Sequence, residues 1–258
     1  MEVRILAIGD VVGAGGLDFL TRYLRPLKKQ KGVDFTVVNG ENAAGLGILP
    51  GQAQQLFDAG CDVITLGNHS YDKQQILPML EENRYILRPA NYTARAPGRG
   101  TAFYDCGRYS IRVINLQGRV NLNCNCDSPF AAADRILKEE EKATFTLVDL
   151  HAEATSEKLA LGYYLDGRVS ALWGTHTHVQ TADEQILPKG TGYLTDAGMT
   201  GPLVSVIGMP AEQSIEGFLG GIRGRHQVAD GPCGMAGVLY TLDSAGGLCT
   251  CVERIFVR

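Results

Sequence analysis

The apolar positions of this chain follow two rhythms. Val3, Ile5, Leu6, Ala7 and Ile8 form a nearly unbroken run, and so do Phe35, Val37 and Val38, and Val63, Ile64 and Leu66. Such runs mark strands buried on both faces. Between the first two, Leu17, Leu20, Leu24 and Leu27 recur at three- and four-residue spacing, the stripe of a helix that covers a core. The pattern predicts strands over 3–9, 35–38 and 63–66 and helices over 17–29, 52–59 and 73–83. Each strand runs directly into a polar, glycine-bearing loop: Gly9-Asp10, Asn39-Gly40-Glu41-Asn42, and Gly67-Asn68-His69-Ser70. In open α/β sheets that edge is where ligands bind.

Past residue 89 a surface loop precedes two alternating runs, 101–105 and 110–116, joined by Cys106-Gly107-Arg108-Tyr109. They predict an antiparallel hairpin and therefore a mixed sheet. The polar, irregular stretch 117–128 ends at Pro129, which opens a helix to about residue 142 with Glu139, Glu140 and Glu141 on a solvated face. Strand 144–150 leads to His151, Thr155 caps a helix to 165, and strand 169–174 delivers His176 and His178. Further strands are expected over 191–196, 237–242 and 248–256, with a turn at 243–247. Repeated strand–helix units followed by strand-rich sequence, with no internal repeat, predict one domain over 1–258: two sheets with helices outside.

Composition narrows the functional classes. With 45% hydrophobic and 20% charged residues, 32 glycines and 10 prolines, the chain has a turn-rich globular composition. A formal charge of −4 provides no basic field for long nucleic acid, while a small phosphorylated ligand stays open. No run of about 18 apolar residues predicts a membrane span, and the first nine residues lack a charged leader, so a cytoplasmic protein is expected. Seven cysteines, including the C-x-C pairs Cys124/Cys126 and Cys249/Cys251, are read as reduced, mostly structural thiols.

Four of the five histidines, His69, His151, His176 and His178, follow predicted strands, and His226 does not. In extended backbone, residues two apart project to one side, so His176 and His178 are expected to share a cavity. With Asp10, Glu41, Asn42 and Asn68 they form a set of oxygen and imidazole donors without thiolate, which suits first-row divalent metals. Seven or more such groups exceed the needs of one ion. Two metals about 3.5–4 Å apart, sharing a carboxylate and activating water, would account for them, and that is machinery for phosphoester hydrolysis. Glu153 is read as a supporting or helix-start carboxylate, Arg119 as a solvated loop arginine rather than a phosphate clamp, and His226 is given no role.

In order and wording, Gly9-Asp10-Val11-Val12-Gly13, Asn39-Gly40-Glu41-Asn42-Ala43-Ala44, Gly67-Asn68-His69, Leu150-His151-Ala152-Glu153-Ala154-Thr155 and Thr175-His176-Thr177-His178-Val179-Gln180 resemble the calcineurin-like metallophosphoesterases, and within them the YmdB-type bacterial branch. The resemblance spans 3 to about 205. Two departures stand out: the wider superfamily has D-x-H where this chain has Asp10-Val11-Val12, and a bridging Asp where this chain has Glu41.

The resemblance implies an α/β fold, a four-layer αββα sandwich of two mixed sheets. It implies two divalent metal ions per chain, iron or manganese ahead of zinc. One would be held by Asp10, Glu41, Asn42 and His178, and the other by Glu41, Asn68, His151 and His176. His69 would be left as general acid for attack of a metal-bridging hydroxide on phosphorus. The implied substrates are 2′,3′-cyclic or 3′,5′-cyclic nucleoside monophosphates, with no long nucleic acid and no membrane partner, and a homo-oligomer is compatible. Three alternatives stand beside this. A phosphomonoesterase uses the same machinery. An amidohydrolase would carry H-x-H near the start of an eightfold barrel, not at residue 176. A non-enzymatic metal-binding regulatory protein would have a closed site with no need of an adjacent acid.

Overall fold

The computed structural model describes residues 1–221, 224 and 227–258; His226 lies outside the described residues. In chain order the elements are β1 (Glu2–Ile8), β2 (Asp10–Val11), α1 (Gly13–Lys31), β3 (Phe35–Asn39), α2 (Pro50–Ala59) and β4 (Val63–Thr65). A 3₁₀ turn (Gln74–Ile76) leads into α3 (Leu77–Glu82), then β5 (Ile86–Leu87), β6 (Thr101–Asp105), β7 (Ser110–Gln117) and α4 (Pro129–Glu139). The chain continues through β8 (Phe145–His151), α5 (Thr155–Leu165), β9 (Ala171–Thr175), β10 (Gln185–Ile186), β11 (Gly192–Leu194), β12 (Met199–Pro202), α6 (Ala211–Gly220), β13 (Cys233–Asp243) and β14 (Leu248–Val257).

The strands form two mixed sheets. The first has the order β2-β12-β13-β1-β3-β4-β5, with β14 paired to β13; the second has the order β10-β11-β9-β8-β7-β6. Alternation along β1 places Val3, Ile5 and Ala7 in the apolar layer between the sheets, where they meet Phe145, Leu147, Ala171, Trp173 and Tyr240. Leu6 and Ile8 point the other way, into a layer with Leu17, Leu20 and Leu24 of α1 and Leu56 of α2. On the far side, Ala132, Ala133 and Ile136 of α4 and Leu161 and Leu165 of α5 cover the second sheet. The result is the four-layer αββα sandwich, with its parallel strands β1, β3 and β4 in one sheet and β7, β8 and β9 in the other.

Several local expectations give way to tertiary contacts. Asp10 does not simply trail β1. Gly9 sits so close to Gly198 that a Cβ would lie 1.9 Å from the Gly198 carbonyl oxygen, and Asp10–Val11 then pairs with β12 as a separate strand. The cap of α5 is Ala154, with Thr155 already its first helical residue. Glu140 is not part of a free acidic face, because it pairs with the buried Arg112 and accepts from Thr101. Short β10 and β12 and helix α6 lack a local core pattern. β10 is set by an antiparallel pairing with β11 a few residues on, β12 by long-range pairing with β13 and β2, and α6 has no buried residue.

Candidate metal centre

All seven donor residues read from the sequence lie at one edge of the sandwich, where the two sheets converge. Glu41 and Asn42 leave β3, Asn68 and His69 leave β4, and Asp10 is in β2; His151 closes β8, and His176 and His178 follow β9. The first sheet supplies oxygens and the second supplies imidazoles. Gly67 makes the approach possible, since a Cβ there would sit 2.2 Å from the His151 ring.

The hub is the fully buried His151. Its Nε2 lies 2.9 Å from Glu41 Oε1, 2.9 Å from Asn68 Oδ1 and 3.1 Å from His176 Nδ1. Three lone-pair-bearing atoms thus converge on one nitrogen, and Glu41, His151 and His176 by themselves make a cluster with donor atoms within 4.8 Å of one another. Nearby, Asp10 Oδ1 is 3.8 Å from His151 Nδ1 and 4.0 Å from His178 Nε2. Its other oxygen accepts from the backbone N–H of His176 at 3.0 Å. Asn42 donates through Nδ2 to the Gly45 carbonyl at 3.2 Å. Asp10 Oδ1 and Asn42 Oδ1 are both buried without a hydrogen-bond partner among the described residues. Unpartnered buried oxygens and converging lone pairs are costly without a cation and fit one well. The donor set therefore suits a divalent metal.

Histidine orientation follows from what each ring does with its other nitrogen. His151 Nδ1 meets Thr175 Oγ1 at 3.0 Å, His176 Nε2 meets Glu153 Oε2 at 3.1 Å, and His178 Nδ1 meets the Ile207 carbonyl at 2.8 Å. A carbonyl or carboxylate accepts only, so His178 and His176 donate there and turn the remaining nitrogen inward. Glu153, expected to be a supporting carboxylate, is therefore the acceptor for His176.

The backbone that achieves this is not extended. β9 ends at Thr175, and His176 (φ 101°) and His178 (φ 65°) both occupy the left-handed region, unusual for residues other than glycine. The i, i+2 argument for their convergence is therefore replaced by a tight loop. Thr177 between them anchors it, with Oγ1 donating to Asp196 Oδ2 at 2.7 Å, and Asp196 is in turn neutralised by Lys158 at 2.6 Å, both almost fully buried. Thr175, Thr177, Asp196 and Lys158 escaped sequence reasoning. The signal was present in the alternation of threonine with histidine, because each hydroxyl reaches a buried carboxylate.

Charge at the centre is strongly coupled. Burial opposes ionisation of Glu41, but His151 and the His69 N–H outweigh it and hold the carboxyl down to about 2. Burial likewise disfavours the His151 imidazolium, and Glu41, Asp10 and Asp149 overcome this and raise it to about 9. His176 goes down to about 3, through burial and then the charge of His151. Asp10 is raised by burial.

His69 stands apart. Its backbone N–H donates to Glu41 Oε2 at 3.1 Å, its Nδ1 faces Asp72 Oδ2 at 2.8 Å, and its side chain is 26% exposed. Arg119 is an exposed loop residue whose backbone N–H is held by Glu157. A cleft of about 770 Å³ between α4 and the segment before β6 has none of the eight residues in its walls. Charge and donor geometry therefore mark the centre, not cavity size. All seven cysteines are free thiols, and no helix among the described residues is long and apolar enough to cross a membrane.

Comparison with known proteins agrees with this geometry. A 2′,3′-cyclic-nucleotide 2′-phosphodiesterase of Bacillus subtilis is 45% identical over 258 residues, covering 99% of this chain and 97% of that one. A crystal structure of a hypothetical protein from Thermus thermophilus superposes with a TM-score of 0.93 at 39% identity, covering 98% of each chain. The structure of a protein from Mycoplasma pneumoniae described as a novel phosphatase gives 0.94 at 32% identity, covering 100% of this chain and 94% of the other. The model of the family described as YmdB-like protein matches residues 6–255, and the chain belongs to that family.

Proposed function

We propose that this hydrolytic enzyme is a phosphodiesterase opening 2′,3′-cyclic or 3′,5′-cyclic nucleoside monophosphates, with two divalent cations, iron or manganese, held between its sheets. The observation that carries the reading is the pairing of two buried oxygens without a hydrogen-bond partner among the described residues, Asp10 Oδ1 and Asn42 Oδ1, with the crowding of three further donors around His151 Nε2. Asp10, Glu41, Asn42 and His178 would hold one cation, and Glu41, Asn68, His151 and His176 the other. The activity of the Bacillus subtilis relative supports the substrate class. When bound, such a cation pair activates water and neutralises phosphoryl charge.

The chain's own residues supply the rest. With Nδ1 donating to Asp72, His69 would use Nε2–H to protonate the departing ribose oxygen. Glu41 Oε2 accepts from the His69 backbone N–H, which ties the acid to the donor set. Burial on both sheets keeps bulk water from His151 and Asp10. A single domain over 1–258 and a reducing, cytoplasmic setting fit the continuous core and the unpaired cysteines.

A second reading, a phosphomonoesterase, is favoured by the description of the Mycoplasma pneumoniae protein as a phosphatase. Metal analysis of the purified protein, chelation, and reconstitution with manganese or iron(II) test both readings. The expected outcome is two metals per chain, loss of activity on chelation, and kcat/KM for cyclic nucleotides above that for p-nitrophenyl phosphate. Full activity after metal removal, or monoester turnover well above every diester, overturns the proposal.

A further inference from the structure

Beneath the centre runs a chain of hydrogen bonds whose direction can be read without ambiguity. It starts at the backbone N–H of Glu41, which can only donate and which meets Asn39 Oδ1 at 3.1 Å. That contact fixes the Asn39 amide, so Nδ2 is the end facing Asp149 Oδ2 at 3.4 Å and Thr175 Oγ1 at 3.3 Å. Asp149 is fully buried between the sheets, and its Oδ2 also receives the Thr65 hydroxyl at 2.5 Å. Thr175 has one proton to give, and it goes to Asp149 Oδ1 at 2.8 Å. The remaining lone pair of Thr175 faces His151 Nδ1 at 3.0 Å, so that nitrogen carries the proton and Nε2 keeps its lone pair for the centre. Every donor and acceptor of Thr175 is then used once.

The geometry points to Asp149 as a positioning residue that, through Thr175, selects the ring tautomer of His151 and thereby sets its Nε2 as a metal-binding nitrogen. Asp149 touches none of the donor atoms at the centre, and it works by being an acceptor with no proton of its own to offer. Replacing one carboxylate oxygen by NH₂ reverses the chain. In Asp149→Asn the oxygen is best placed on the side that receives Thr65 and Asn39. The new NH₂ then faces Thr175, whose proton turns toward His151 Nδ1, leaving Nε2–H pointed at Glu41, Asn68 and His176.

The inference rests on the two-metal reading only for its affinity arm, because the tautomer is measured without metal. The experiment records long-range ¹H–¹⁵N ring correlations of His151 in chelated protein at pH 10, with the ring neutral, alongside manganese and zinc titrations near neutral pH. Wild type is expected with Nδ1 protonated. Asp149→Asn and Thr175→Val are expected to shift the population toward Nε2–H and to weaken one of the two metals by about 10–100-fold, leaving the other unchanged. Thr175→Ser is expected to restore both properties. If Asp149→Asn fails to fold, the Thr175→Val and Thr175→Ser pair decides alone. An unchanged tautomer in the folded variants overturns the proposal, whether metal is kept or lost, and so does failure of Thr175→Ser to rescue. A wild type with the expected tautomer that binds no metal leaves the tautomer assignment standing and sinks the two-metal reading.

Discussion

The two sheets meet at the candidate centre but prepare their side chains in opposite ways. The β2, β3 and β4 side offers oxygens that are poorly compensated: Asp10 Oδ1 and Asn42 Oδ1 have no hydrogen-bond partner among the described residues, and Glu41 is answered mainly by His151. The β8 and β9 side offers imidazoles that are fully occupied, each with its outer nitrogen tied to Thr175, Glu153 or the Ile207 carbonyl. One side is defined by charge left over, the other by direction already fixed. Substitutions should therefore fail differently: loss of an oxygen removes charge from the whole centre, whereas loss of a histidine's support misdirects one ligand.

Glu41→Gln should have the largest effect, because Glu41 is the carboxylate touching both halves, through His151 and the His69 backbone. Both metals should be lost, with affinity falling well beyond the ~10–100-fold typical of an outer partner, and activity should go with them. Elemental analysis against rate decides. A variant retaining one metal at full occupancy would assign Glu41 to one side only and break the comparison. His69→Ala comes next. It should keep both metals, lose about 10²–10⁴ in rate on cyclic nucleotides, and lose much less on a nitrophenyl diester, whose leaving group needs no proton. Equal losses on the two substrates would make His69 an electrostatic group, and metal loss would make it a ligand.

The same contrast explains what the sequence made legible. The eight residues marked by strand-end position are neighbours in the structure, because a parallel sheet aligns the C-terminal ends of its strands and the polar loops there are conspicuous. The four layers follow from the same alternation of strand and helix patterns. What could not be read is how the residues are held. The left-handed turns at His176 and His178 are set by Thr177, Asp196 and Lys158, joined by two links that span 19 and 38 residues. The small strand at Asp10 depends on β12 nearly two hundred residues away, and Glu140 leaves its acidic run for Arg112 on β7. Each is a long-range polar contact that leaves no periodic trace.

Proton–metal competition sharpens the nitrogen side. His151 is raised to about 9 in the metal-free protein, above its ordinary 6.5, so its contribution to folding is full below about 6.5 and fades as pH rises through 9. Glu41 is depressed to about 2 from 4.5, so its contribution holds above about 4.5 and fades as pH falls through 2. Metal-free protein should accordingly be most stable between about 4.5 and 6.5 as far as this pair decides. A metal taking His151 Nε2 must displace the proton, so its affinity should rise about tenfold per pH unit up to about 9. Thermal melts and metal titrations from pH 5 to 10 measure both. A pH-independent affinity over that range would remove His151 from the donor set.

The smallest expected effect is at Glu153, and it tests whether direction matters where the support is exposed. Its Oε2 accepts from His176 Nε2 at 3.1 Å, but Glu153 is 48% exposed and solvent competes for the same hydrogen bond. Glu153→Gln keeps an acceptor oxygen at that position and should cost almost nothing. Glu153→Ala leaves water to accept from His176 and should weaken one metal by about tenfold, the lower end of what an outer partner supplies. Neither variant should alter the other metal, since the carboxylate reaches no oxygen donor. Calorimetric titration of both variants with manganese measures the difference. Equal losses in the two would mean that Glu153 acts by its charge, and the nitrogen side would then resemble the oxygen side after all.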